Sequence, residues 1–261
     1  MTTTAKIVSL LKPKRNWLQF RLRTIFVLVV VAAVPCWWVN RKMVRKEKER
    51  AAVVVINKLG GTVKYVKKEP PGAAWLRKLL GDGIFSSVVS VDFRNAELTD
   101  DALVILEPLT DVEDVRFSGR LISDVGLVHL KGLTRLKNLH LGGAAVTNAG
   151  LIHLKRLASL EDLNLGNANV TDSGLVYLKE STKMRQLSLA NTGVTDDGLV
   201  HLKAMAQLKQ LYLWNTDISD AGLVQLKRFT ELTLLNVGRT NVTASGVDDL
   251  EKALPNCTII R

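Results

Sequence analysis

Cysteine is scarce in this 261-residue chain: Cys36 lies inside an apolar run and Cys257 near the far end. Two thiols so placed exclude a disulfide framework, and no spacing suits a zinc site, so cysteine usage leaves the redox compartment open. Aromatics make up only 5% of residues against 47% apolar ones. The core must therefore be aliphatic, chiefly leucine and valine. Also missing are a nucleophile elbow, a phosphate-cradling glycine loop and an H-E-x-x-H pair. Without a singular catalytic constellation, no enzyme activity, cofactor or metal is expected.

Acids are missing from one part of the chain. Residues 1–84 hold 18 Lys/Arg against four acids (Glu47, Glu49, Glu69, Asp82), a net of +14, whereas residues 85–261 hold 18 against 21, a net of −3. The overall +11 thus belongs to the N-terminal part, and a nucleic-acid partner for the remainder is not expected.

Within that basic part, Thr24–Val39 reads TIFVLVVVAAVPCWWV, sixteen uncharged residues between Arg21/Arg23 and Arg41/Lys42. As a helix the run spans roughly 24 Å, near the roughly 30 Å of a hydrocarbon core if the arginines snorkel. It is read as a transmembrane signal-anchor, with residues 1–23 as a basic cytoplasmic or interfacial tail and Trp37 and Trp38 at one interface. A cleaved signal peptide and a buried globular helix are the alternatives. Six Lys/Arg on each side leave orientation tied, and the acid-free first flank favours repeats outside the cytoplasm in a single-pass membrane protein. Residues 40–84 read as a joining region and repeat cap: a charged helix stopped by Gly60 and Gly61, a short strand at TVKYV, and helical spacing of Trp75, Leu76, Leu79 and Leu80.

From Phe85 onward a strict 24-residue period appears, with units starting at Phe85, Leu109, Leu133, Leu157, Ser181, Met205 and Phe229. Six positions are apolar in every unit. The L-x-x-L-x-L part alternates as a strand does and G-L-x-x-L follows helical spacing, so each unit is one strand and one helix. A Ser or Thr stands between them in all seven units, usually followed by Asp, suited to cap the helix and meet its dipole. The glycine that follows (Gly126, Gly150, Gly174, Gly198, Gly222, Gly246, with Ala102 in the first unit) is read as letting helix lie close to strand. One unit cannot bury its own apolar face, so neighbours stack, residues 85–254 forming the repeats and 255–261 (PNCTIIR) a capping strand.

The pattern L-x-x-L-x-L-x-x-[A/T]-x-V-T-D-x-G-L-x-x-L resembles the leucine-rich repeats of bacterial surface proteins and of F-box adaptors, over about two-thirds of the chain. The layout, with its RLRT-type anchor, KLGG turn and ALPNC ending, resembles membrane-anchored repeat proteins of planctomycete bacteria. The resemblance implies an α/β solenoid, a horseshoe of seven strand-helix units preceded by one transmembrane helix. At the family's usual asparagine position stand Ala144, Ala168, Thr192, Thr216 and Thr240, which puts a regular asparagine ladder in doubt.

The resemblance also implies that a protein partner, of unidentified kind, binds the concave strand face of monomeric repeats. There the sixth and eighth positions of each unit form a mixed polar strip, and the candidate contact residues are Arg116, His140, Asn164, Tyr212 and Trp214. A substrate adaptor of ubiquitin ligases and a structural cell-envelope element are the other readings. Three histidines (His129, His153, His201) share one position; repetition explains the column more simply than a metal, since no carboxylate recurs beside them.

Overall fold

The structure, a computed structural model, describes residues 15–67, 85–96, 98–117, 119 and 121–261, with side chains in the first helix from Trp37 onward. The helical spacing read at Trp75–Leu80 lies outside the described residues. The chain divides into two compact units, Met1–Glu47 and Lys48–Arg261.

Helix α1 (Arg15–Lys58) contains the apolar run. Among the described residues no helix is long and apolar enough to cross a membrane. This corrects the transmembrane signal-anchor expected at 24–39, and with it the single-pass membrane localisation and the membrane as a partner. The physical reason is length: the uncharged stretch covers only ~24 Å, and α1 continues on both sides of it through arginine and lysine. In the first unit Trp37 and Trp38 are exposed, each faced by a cation one helical turn on: Arg41 at 5.3 Å and Lys42 at 4.7 Å from the ring centroids.

Helix α1 ends at glycine. Gly60 takes φ +83°, and the N–H of Gly61 donates to Ile56 O at 2.9 Å, closing the last turn. Strand β1 (Thr62–Lys67) then pairs antiparallel with β2 (Ser86–Asp92). Seven three-residue strands follow in parallel: β3 (Asp114–Arg116), β4 (Asn138–His140), β5 (Asp162–Asn164), β6 (Gln186–Ser188), β7 (Gln210–Tyr212), β8 (Leu234–Asn236) and β9 (Thr258–Ile260). All nine form one sheet in sequence order. The register Asp114, Asn138, Asp162, Gln186, Gln210, Leu234 advances by one period per strand without slip.

The return segments are tighter than the helices expected. Three are a single α turn followed by a 3-10 turn, such as Asp172–Leu175 and Val176–Leu178, and two, Asp100–Leu106 and Gly150–Arg156, are 3-10 throughout; α2 (Ala244–Ala253) is the longest at ten residues. The two leucines of G-L-x-x-L are three apart, and a turn of about three residues stacks both on one side, facing the sheet. Of the 42 side chains at the six apolar positions, 41 are buried; Val247, in the seventh unit, is half-buried.

Neighbouring units are tied by a column of carboxylates. Asp100, Asp124, Asp172, Asp196 and Asp220 each reach forward to the next unit, where one oxygen accepts the backbone N–H of Ser123, Thr147, Thr195, Ser219 and Thr243 at 2.8–2.9 Å. The other oxygen accepts the same residue's hydroxyl. At the third junction Asn148 substitutes: its Oδ1 takes the Thr171 N–H at 2.9 Å, and its Nδ2 donates to Thr171 Oγ1 at 2.8 Å, reversing that hydroxyl's role. In four units the hydroxyl also accepts an N–H of its own helix, from Val125, Ala149, Ala221 or Gly246. The expected cap is therefore present in those four units and absent at Thr99, Thr171 and Thr195, while the acid serves the next unit.

This corrects the reading of the repeated glycine. A Cβ on Gly126, Gly150, Gly174, Gly198, Gly222 or Gly246 would stand 2.1–2.4 Å from the Oδ1 of the preceding unit's Asp or Asn. The glycine makes room for that side chain.

The last turns of α1 belong to the second unit and enter its core through Ala52 and Ile56. Buried Glu49 accepts the Val88 N–H of β2 at 3.0 Å. Glu49→Ala is expected to cost about 1–3 kcal/mol by stranding that donor, and Glu49→Gln, which keeps an acceptor, markedly less. Urea titration of the full chain checks the ordering.

Candidate functional site

Every three-residue strand from β3 to β8 has a buried middle residue and two partly open flanks. The period-two geometry of a strand aims those flanks at the concave face. Parallel register then aligns them in rows: Arg116, His140, Asn164, Ser188, Tyr212 and Asn236 lie side by side, one per strand. Trp214 stands beyond β7, two residues after Tyr212 and on the same side.

The candidate residues fall into separate groups. Arg116 and Tyr212 are four strands apart, about 19 Å at the usual strand spacing. At the first group, Arg116 turns along its own strand and bonds Asp114 (Nε–Oδ1 3.1 Å, Nη2–Oδ2 3.1 Å). Asp114's carboxylate raises the Arg116 guanidinium above its ordinary value. His140 directs Nε2 at Asp162 Oδ2 from 3.8 Å, beyond hydrogen-bond reach. Asn164, in the next strand, accepts the Gly166 N–H at 2.9 Å and so serves its own turn.

The second group is aromatic. Tyr212 donates its hydroxyl to Gln210 Oε1 at 2.9 Å, and the Arg239 guanidinium lies over the Trp214 ring at 5.0 Å from its centroid. Trp214 keeps 36% of its surface exposed, enough to present an indole edge.

Sequence reasoning passed over Arg239. Its signal is the eleventh position of each unit, which reads Asn95, Gly119, Gly143, Asn167, Asn191, Asn215, Arg239. From the second unit on these residues have positive φ, including 54–62° for the three last asparagines and Arg239. Asparagine and glycine are the types that tolerate this left-handed region. The three asparagines also build a short ladder: Asn191 Nδ2 donates to Asn167 Oδ1 at 2.7 Å, and Asn215 Nδ2 to Asn191 Oδ1 at 2.5 Å. The ladder doubted at the neighbouring Ala/Thr column thus exists one position earlier. Thr192 and Thr216 in that column instead donate their hydroxyls to Leu189 O and Leu213 O at 2.6 Å. A polar hollow of about 530 Å³ opens along the ladder, lined in part by Thr171, Asn191, Asn215, Asp217 and Arg239.

The comparisons bear on this geometry. The family model described as Leucine Rich repeat matches residues 156–179 and 180–202. The crystal structure of internalin C2 from Listeria monocytogenes superposes with a TM-score of 0.55 at 22% identity, covering 69% of this chain and 81% of that one. This is a leucine-rich repeat fold. Another internalin of Listeria monocytogenes (TM-score 0.39, 17% identity, 60% of this chain and 56% of that one) and a leucine-rich repeat protein of Leptospira interrogans (0.43, 15%, 60% and 45%) are also similar. No curated protein matches the chain in sequence.

Among the described residues no three His, Cys, Asp or Glu side chains gather as a metal site requires. Of the histidine column, His129 pairs its Nδ1 with Glu107 Oε1 at 2.8 Å. Cys257 is buried, and burial raises its thiol above the ordinary value, which keeps it protonated and unreactive.

Proposed function

We propose that the leucine-rich repeats bind a protein partner on their concave strand face, with Tyr212 and Trp214 as anchors and Arg116, His140 and Asn164 along the contact strip. The observation that carries this reading is the pre-positioned aromatic group. Tyr212 is held by Gln210 and Trp214 by Arg239, so both rings are presented with little rotamer entropy left to lose on binding. Tyr, Trp and Arg are the residue types that dominate interface energetics. The reading rests on the repeats alone. The resemblance in layout to anchored planctomycete proteins leaned on the anchor that was corrected above.

Selection of peptides from a random display library against the full chain tests it. Trp214→Ala is expected to weaken the selected peptides by about 30-fold or more, as loss of a 2 kcal/mol hot spot does. A photo-crosslinker at Ser188 is expected to capture them, and one at convex Val176 is not. Peptides insensitive to Trp214→Ala and Tyr212→Ala and captured from Val176 overturn the reading.

A further inference from the structure

Three carboxylates occupy the outward strand positions of the concave face, and two are matched. Asp92 pairs with Arg94 at 2.7 Å and Asp114 with Arg116 at 3.1 Å. Asp162 is different. Its Oδ1 is buried with no hydrogen-bond partner among the described residues, and its Oδ2 has His140 Nε2 only at 3.8 Å. The side chain still opens to the concave surface at 23% of its area.

The electrostatics separate the same pair of cases. Hydrogen bonds from Arg94 hold the Asp92 carboxyl below its ordinary value. Burial pushes the Asp162 carboxyl above it, with His140 and Arg116 pulling it back and Asp114 adding to the rise. These are the charged groups facing Asp162 from β3 and β4; on β6 its in-register neighbour is Gln186. A carboxyl raised in this way weakens the fold as pH climbs through the carboxylate range, because the unfolded chain releases that proton first.

Asp162 also has neighbours in the same condition. Asn138, Asp162 and Gln186 are in register on β4, β5 and β6, a row spaced by roughly 4.8 Å. Neither the Asn138 nor the Gln186 side chain hydrogen-bonds within the described residues. The row offers a carboxylate flanked by two carboxamides, each able to turn its acceptor oxygen to an arriving donor. A planar guanidinium with five fixed donors matches several acceptors at once, whereas an ammonium is a point charge.

We propose that the Asn138–Asp162–Gln186 row is the receptor for an arginine side chain of the protein partner. This rests on the concave-face reading above and adds the partner's chemistry. The arriving guanidinium donates to Asp162 Oδ2, the oxygen open to the concave surface, and bridges to the amide oxygens on either side. The charge match also fixes the partner's register along the strip, since Asp92 and Asp114 already hold arginines of this chain.

The same display selection, run on the full chain, decides it. Peptides that bind the concave face are expected to share an arginine at one position. Replacing that arginine by citrulline, which keeps the shape and removes the charge, is expected to weaken binding about 10- to 100-fold, the range for a charge-assisted hydrogen bond. Against Asp162→Asn the same replacement is expected to change binding less than about twofold, and the variant's melting temperature to equal or exceed that of the parent, showing that it folds. Concave-face peptides without a shared arginine, with lysine in its place, or with equal citrulline effects on parent and Asp162→Asn overturn the arginine receptor while leaving the concave-face reading standing. Peptides that bind only the convex side remove both.

Discussion

Gly198→Ala is expected to destabilise the stack by on the order of 2–3 kcal/mol, although alanine is the better helix former by about 1 kcal/mol. The new Cβ falls 2.2 Å from Asp172 Oδ1, and that carboxylate is anchored by the Thr195 N–H at 2.8 Å and the Thr195 hydroxyl at 2.7 Å. It moves only by giving up both bonds. Asp172→Ala loses the same two bonds by another route. The diagnostic result is therefore the double variant: Asp172→Ala/Gly198→Ala is expected to cost no more than Asp172→Ala alone, since the Cβ then has space. Urea melts of the four proteins form the cycle. Additive costs would show that the glycine answers to something other than the preceding carboxylate.

Leu163→Ala is expected to cost about 2–5 kcal/mol, the range for a fully buried leucine whose surroundings cannot collapse. Leu163 is the middle residue of β5, with 0% of its surface exposed between Leu139 and Leu187 of the flanking strands. Both neighbours are held by ladder bonds and cannot close the gap. Val247→Ala, at the half-buried exception, is expected to cost less than about 1 kcal/mol. Because each unit touches only its neighbours, hydrogen exchange in Leu163→Ala is expected to quicken first at Leu139, Leu163 and Leu187. Uniform acceleration across all strands would instead mean that the sheet opens as a whole.

What could be read from sequence was whatever recurs within a unit. The strand alternation, the buried leucine positions and the hydroxyl cap depend on contacts a few residues apart; the first two are present throughout, and the cap in four of the seven units. What crosses between units was misread. Asp172 looks like an acid matched to its own helix, and only the three-dimensional stack places Thr195 against it. The glycine column was assigned to the strand for the same reason. Arg239 went unnoticed because its column mixes Asn, Gly and Arg, three types united by a left-handed backbone and not by polarity. Asp162 sat in the polar strip without distinction, since nothing in the sequence tells a paired carboxylate from an unpaired one. The apolar run at 24–39 was judged by hydrophobicity, while its sixteen residues fall short of the span it was assigned.

The forward-reaching carboxylate makes the units interchangeable. Excising residues 181–204 would bring Asp172 to Ser219 and Gly222, a hydroxyl residue and a glycine like the Thr195 and Gly198 it now meets. The seam would be chemically indistinguishable from those around it. The concave strip would lose Gln186 and Ser188, and Gln210 would take the place beside Asp162, so the distance between Asp162 and the Tyr212–Trp214 anchors is set by unit number.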